Sequence, residues 1–275
     1  MTHTELRIAL LTCGSLTGKA YAENGDYWDV YSKFMHDSCP AGTQFKFEPF
    51  DVVSKMEYPS SQDEDQYDCM MLTGSAASAY ENLEWINILV DYVARIAESK
   101  PNIKLIGICF GHQIIARALG SACVPNGGKW EVGPTPIHLT DLGRRIFGSD
   151  KDTLTIQQMH RDHVPSVPPN FHLLASTAIT PNQGMVKFLG NPPLDDKTSS
   201  NLPPIQIITV QGHPEFTESV VSAIIEQRAA SGVIDSEAAQ DAEKRRYWKT
   251  DGIDVFGQIL WDVILQAKHK AALTS

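Results

Sequence analysis

The stretch Leu105-Ile106-Gly107-Ile108-Cys109-Phe110-Gly111-His112-Gln113 constrains this chain more than any other. A short apolar run passes directly into a helical pattern. A cysteine sits at the junction, with a glycine two residues to either side. Gly-x-Cys-x-Gly is the spacing of a nucleophile elbow, with cysteine in the serine position. Strand and helix nearly touch at such a turn, so only small residues fit on its flanks. The thiol then stands above the sheet edge at a helix N-terminus, where the dipole and free N–H groups favour a thiolate. The Phe110 N–H points the same way and can serve an oxyanion. An isolated cysteine would read as a small buried hydrophobe. Two glycines at elbow spacing, between strand and helix, favour the nucleophile instead.

An elbow of this kind needs an α/β sheet, and the flanking sequence supplies one. Leu6–Thr12, Gln44–Phe50, Tyr67–Leu72 and Lys104–Ile108 read as strands. Helical patterns lie between and after them at Gly25–His36, Leu83–Glu98 and Gln113–Leu119, the last closed by Gly120. This alternation predicts a mainly parallel, doubly wound, flavodoxin-like α/β sheet. Short strand candidates then recur at Thr135–Thr140, Thr153–Gln158, Phe171–Ser176 and Met185–Leu189, as a small antiparallel extension of the same sheet. Asn191–Pro204 is a polar, proline-rich surface loop and the best candidate for local disorder. Ile205–Val210 returns as a buried strand. Thr217–Ala230, Ser236–Trp248 and Ile253–Ala267 read as helices, with Asp235 or Ser236 capping the second. One domain over 1–275 is expected, with the helices of 236–270 as an extension that either covers the sheet, the commoner case, or forms an interface.

Composition narrows the function classes. The 23 basic and 33 acidic residues leave a net charge of −10. No basic stripe interrupts that balance, which argues against nucleic acid as a partner. No apolar run approaches the ~18 residues of a membrane span, and the N-terminus lacks the long apolar region of a secretory signal. Cys13, Cys39, Cys69, Cys109 and Cys123 show no CxxC or Cys/His spacing, so neither zinc nor a disulfide framework is expected. A reduced, cytoplasmic protein with one reactive thiol follows. Cys13, at the end of the first strand, is the other thiol to watch.

A cysteine nucleophile needs a base, which can lie far away in sequence. Gln211-Gly212-His213-Pro214-Glu215-Phe216 directly follows the strand Ile205–Val210. His213 therefore belongs at the carboxyl edge of the sheet, where such sheets place their sites. Pro214 restricts the backbone around it, so a rigid turn can direct His213 and Glu215 toward one point. Glu215 would hold one imidazole nitrogen and leave the other for Cys109, the logic of a catalytic triad. His3, His36, His138, His172 and His269 read as surface or core residues.

Taken together, GICFGHQ and GHPEF resemble class I glutamine amidotransferase domains, over roughly Leu6 to Gln227. The resemblance implies Cys109 as nucleophile, His213 as base and Glu215 as its partner, with a γ-glutamyl thioester as intermediate. Leu72-Thr73-Gly74-Ser75 occupies the place of the family's oxyanion loop, so the N–H groups of Gly74 and Phe110 are the expected donors. Gln113 matches the glutamine that contacts the amino-acid end of the substrate. Met159, His160 and Arg161 match a later substrate-contacting loop, where the backbone does most of the holding. His160 and His163 read equally well as polar residues packed beside the site.

No synthase module is attached, and the chain is similar to stand-alone members of the family, among them plant γ-glutamyl peptidases. The implied activity is hydrolysis of a γ-glutamyl amide in a small substrate, either a peptide or conjugate or free glutamine, with no cofactor and no metal. The alternatives are a glutaminase subunit feeding ammonia to a separate synthase partner, and a non-catalytic binding module. An exposed apolar patch near the elbow would favour the subunit. Trp130, after Gly127-Gly128-Lys129, is expected near the mouth of the site.

Overall fold

The computed structural model describes residues 5–192 and 202–269. The first half alternates as expected: β1 (Leu6–Thr12), α1 (Gly18–Asn24), α2 (Tyr27–Asp37), β2 (Phe45–Asp51), β3 (Cys69–Leu72), α3 (Glu84–Ser99), β4 (Lys104–Ile108) and α4 (Phe110–Ala118). The middle holds β5 (Val124–Pro125), β6 (Glu131–Leu139), α5 (Asp141–Phe147), β7 (Thr153–His160), β8 (Asp162–His163), β9 (His172–Ser176) and β10 (Gly184–Phe188). The chain closes with β11 (Ile205–Val210), α6 (Glu218–Ala230), α7 (Ser236–Arg245) and α8 (Gln258–His269).

Among the described residues nine strands form one sheet in the order β2-β1-β3-β4-β11-β10-β9-β6-β7. The first five are parallel, and their order is the flavodoxin-like one. The last four run antiparallel to their neighbours and continue the same sheet. The two-residue strands β5 and β8 pair apart from it.

Strand alternation sends successive side chains to opposite faces. Ile8, Leu10, Met71 and Ile106 pack on one face with Tyr31, Phe34, Val220 and Trp261 of α2, α6 and α8. Ala9, Leu11, Met70, Leu72 and Leu105 pack on the other with Ile86, Leu89, Ile114 and Ile115 of α3 and α4. The C-terminal helices thus cover the sheet: Leu260, Trp261, Val263 and Ile264 of α8 are all buried.

Several boundaries differ from the sequence reading, each for a local reason. α4 begins at Phe110 instead of Gln113, because the turn at Cys109 needs no intervening loop. α2 starts at Tyr27, where Asp26 and Asp29 close a reciprocal capping box. α7 is capped by Asp235, whose side chain accepts from the Ala238 N–H, and stops at Arg245. A π-helical segment over Gly252–Gly257 precedes α8, so the helical spacing read from Ile253 is not continuous. α1 and α5 are additional. Each has seven residues, and in α1 Ala20 alone is buried, too little for an apolar period to register. Residues 193–201, most of the proline-rich segment, lie outside the described residues.

Candidate active site

Three neighbouring parallel strands, β3, β4 and β11, deliver their carboxyl ends to one place. Adjacent strands stand about 4.8 Å apart, so the turns that follow them meet. Cys109 comes from β4, the 73–78 loop from β3, and His213 from β11.

Cys109 has φ 53° and ψ −103°, in the sparsely populated geometry expected of an elbow. The two flanking glycines are sterically required. A Cβ on Gly107 would lie 2.6 Å from the Gly111 carbonyl oxygen, and one on Gly111 would lie 2.5 Å from the Leu72 carbonyl oxygen. Phe110 is the first residue of α4, so its N–H has no partner within the helix.

His213 is fixed from several sides. Its backbone N–H donates to the Gln157 carbonyl (2.8 Å), and its ring stacks on Phe216 with centroids 4.0 Å apart and planes within 6°. Its Nδ1–H donates to Glu215 Oε1 at 2.7 Å, with both side chains buried. This leaves Nε2 free, and the ring interacts with Cys109 by charge. Burial alone would lower the imidazole pKa. The Glu215 carboxylate and the Cys109 sulfur outweigh it and raise the value to about 10. His213 is thereby held toward its protonated form, and an imidazolium beside a cysteine favours thiolate charge. The His-Pro-Glu turn is buttressed from behind. Gly252 packs so closely on Pro214 that a Cβ there would lie 2.4 Å from the Pro214 carbonyl oxygen.

The oxyanion loop departs from expectation in one respect. The Gly74 N–H donates to the Tyr31 hydroxyl (3.2 Å) and is already occupied. The next N–H, that of Ser75, has no acceptor among the described residues, and Ser75 lines the same cavity as Cys109. Gly74 still has a steric role: a Cβ there would come within 2.8 Å of the His213 ring. Tyr31 was not legible as a site residue. At i+4 from Tyr27 on the buried face of α2, it has the spacing of core. Burial, and then the Glu215 charge, push its phenol well above the usual range.

Cys109 opens into a cavity of about 270 Å³ that also holds Gln113, Trp130, Met159, His160 and Arg161. The residues carried over for substrate contact thus meet around the thiol, and Trp130 stands at the mouth. Gln113 spends its amide N–H groups on the Asp162 carbonyl (3.0 Å) and Gln211 Oε1 (3.1 Å). His160 has a carboxylate of its own nearby, with Nε2 3.2 Å from Glu131 Oε2 but without a hydrogen bond, while Nδ1 meets the Asp162 carbonyl. Ser78, Asp162 and Arg228 also line the cavity, and the sequence reading did not single them out. The Ser78 hydroxyl donates to Asp162 Oδ2 (2.6 Å), whereas Asp162 Oδ1 is buried without a hydrogen-bond partner among the described residues. Cys13 is not a second nucleophile. Its thiol is buried against the Leu11 carbonyl, and burial pushes its pKa up to about 12.

The chain matches the family model described as "Glutamine amidotransferase class-I" over residues 27–191. A glutamine amidotransferase-like protein of Schizosaccharomyces pombe is 30% identical over 249 residues, covering 88% of this chain and 92% of the relative. Gamma-glutamyl peptidase 4 of Arabidopsis thaliana is 27% identical over 237 residues, covering 82% and 85%. Among solved structures, a glutamine amidotransferase of Thermotoga maritima superposes with a TM-score of 0.64 at 17% identity, over 95% of this chain and 99% of that one. The last likeness is one of fold.

Proposed function

This chain belongs to the class I glutamine amidotransferase family, and from that premise we propose that it is a cysteine hydrolase of γ-glutamyl amides. The observation that carries the reading is the buried His213–Glu215 pair, 2.7 Å apart, set beside a cysteine on a strained elbow. The Cys109 thiolate attacks the γ-carbonyl carbon. The N–H groups of Phe110 and Ser75, the latter in place of Gly74, receive the oxyanion, at a value of about 3–4 kcal/mol per donor. Protonated His213 gives its proton to the leaving nitrogen as the C–N bond breaks. A γ-glutamyl thioester remains on Cys109. Water then attacks it, His213 takes the proton, and glutamate leaves with the thiolate restored. Gln113, Met159 and His160 frame the glutamyl group, and Arg161 contacts the substrate from the same cavity.

The homologous gamma-glutamyl peptidases support a peptide or conjugate as substrate. A second reading, glutamine hydrolysis that supplies ammonia to a synthase partner, is favoured by one feature. Ile179, Val233 and Trp248 are 39%, 46% and 50% exposed. Ile179 and Trp248 share a shallow hollow with Trp130 at the cavity mouth, and Val233 lines the cavity. Both readings suit a reducing, cytoplasmic setting, and among the described residues no helix is long and apolar enough to cross a membrane.

The test is glutamate release from glutamine, glutathione, a glutathione S-conjugate and γ-glutamyl dipeptides. Preferential cleavage of a γ-glutamyl peptide is expected, with a loss of on the order of 10⁴-fold or more in Cys109→Ala. Turnover of glutamine alone would favour the ammonia donor. Release that persists in Cys109→Ala would overturn both.

A further inference from the structure

The chain has nine arginines among 33 acidic residues, and in such an acidic chain guanidiniums find partners easily. Arg7, Arg95, Arg144, Arg245 and Arg246 pair with carboxylates. Arg117 donates to the Ala79 carbonyl, and Arg145 is also engaged. Arg161 and Arg228 remain. Neither guanidinium has a carboxylate or hydrogen-bond acceptor among the described residues. Both lie instead against the Trp130 ring, 5.7 and 5.6 Å from its centroid. Trp130 is itself anchored by its Nε1–H to the Val233 carbonyl (2.9 Å). All three line the cavity that contains Cys109. Two unpaired cations thus face a reactive thiol in a protein of net charge −10.

Gln113 and Asp162 line the same cavity, and Asp162 Oδ1 is buried without a hydrogen-bond partner among the described residues, which suits an ammonium group. The leaving nitrogen must face His213, which protonates it. Arg228 belongs to α6, the helix that follows the His213–Glu215 turn. With a substrate's ammonium at Asp162 and its γ-carbonyl over Cys109, the arginines are the cationic groups of the cavity left for its departing end. Paired guanidiniums match the geometry of a carboxylate.

We propose that Arg161 and Arg228, set against Trp130, form a carboxylate-binding subsite for the leaving group, so that the preferred substrates are γ-glutamyl amino acids or peptides with a free C-terminal carboxylate. This subsite rests on the γ-glutamyl hydrolase reading above and selects among its substrates. A departing amine without a carboxylate, ammonia included, leaves the two cations unused.

The experiment compares γ-glutamylglycine with γ-glutamylglycinamide, using the full chain, Arg228→Gln and the Arg161→Gln/Arg228→Gln double variant. The wild-type protein is expected to prefer the acid about tenfold or more in kcat/KM, mainly through KM. The ratio is expected to fall toward one in the double variant while the circular dichroism stays unchanged. Equal rates for acid and amide in the wild type, or a preference that survives in the double variant, overturn the subsite. The α-amide of γ-glutamylglycine supplies a further arm. If the variants abolish discrimination against this compound instead, the arginines read the glutamyl carboxylate and the leaving-group assignment is wrong. Absence of glutamate release from every compound would be a failure of the hydrolase reading. Calorimetric binding of the acid and the amide to Cys109→Ala then still tests the subsite: the same tenfold gap supports it, and equal affinity removes it.

Discussion

His213–Glu215 and His160–Glu131 use the same two residue types in neighbouring parts of one sheet, and they differ in what surrounds them. The first pair sits on one tight turn, with Nδ1 on the carboxylate and Nε2 left for Cys109. The second spans two antiparallel strands, where Glu131 and His160 are direct partners in register. Its carboxylate also accepts from the Thr177 hydroxyl (2.6 Å) and the Gln183 amide (2.8 Å), so its acceptor sites are taken by the fold. His160 Nε2 lies 3.2 Å from Glu131 Oε2 without a hydrogen bond, and Nδ1 meets the Asp162 carbonyl. One buried His–carboxylate pair is thus proposed to serve the chemistry and the other to hold the strands that line the cavity. What the carboxylate already accepts from the fold separates the two.

Glu215→Gln should break the catalytic side of this contrast most. The amide cannot hold the imidazolium, and kcat should fall on the order of 10³-fold. The His213 titration should also move down from about 10, because Glu215 is the largest influence holding it up. Histidine NMR read alongside single-turnover rates would show both changes. A kcat within a few-fold of wild type would remove Glu215 from the triad.

Glu131→Gln should act on the other side. Removing the carboxylate deprives the Thr177 and Gln183 donors of their acceptor, at a cost of about 1–3 kcal/mol in urea unfolding. The rate per folded molecule should stay within a few-fold. A large fall in kcat with unchanged stability would mean that His160 belongs to the chemistry.

The smallest effect is an asymmetry in pH. His213 is raised in the folded state, so its contribution to stability is complete below its ordinary value near 6.5 and is lost as pH climbs through about 10. For Glu131, burial raises the carboxyl pKa, but His160 and the hydroxyl donors bring it below its ordinary value of 4.5. Its contribution is therefore present above 4.5 and lost as pH falls through the lower folded value. Alkali should loosen the catalytic pair first and acid the structural one. Unfolding curves of Glu215→Gln and Glu131→Gln should accordingly flatten at opposite ends of the pH range, and flattening at the same end would contradict the contrast.

The elbow was readable because its demands are local. Gly107 and Gly111 are required by contacts within a few residues of Cys109, so the requirement is written in adjacent letters. His213 was readable for a related reason, since a histidine at the end of a parallel strand can only emerge at the carboxyl edge. The antiparallel continuation of the sheet was also foreseeable from the recurrence of short strands after Pro134. The engagement of the Gly74 N–H was not. It donates to Tyr31, which arrives from α2 in a spacing indistinguishable from core.

By itself the sequence determined the α/β class and marked out the cysteine, histidine and carboxylate proposed as the catalytic set, because elbow sterics and strand-end placement act over short distances along the chain. Tertiary structure decided the rest. It set β3, β4 and β11 side by side so that three separate turns meet, and it set His160 opposite Glu131 on the facing strand. It also brought Arg161 and Arg228 to the two contacts on Trp130. These juxtapositions join residues tens to more than a hundred positions apart, and only the packing of helices onto the sheet brings them within reach of one another.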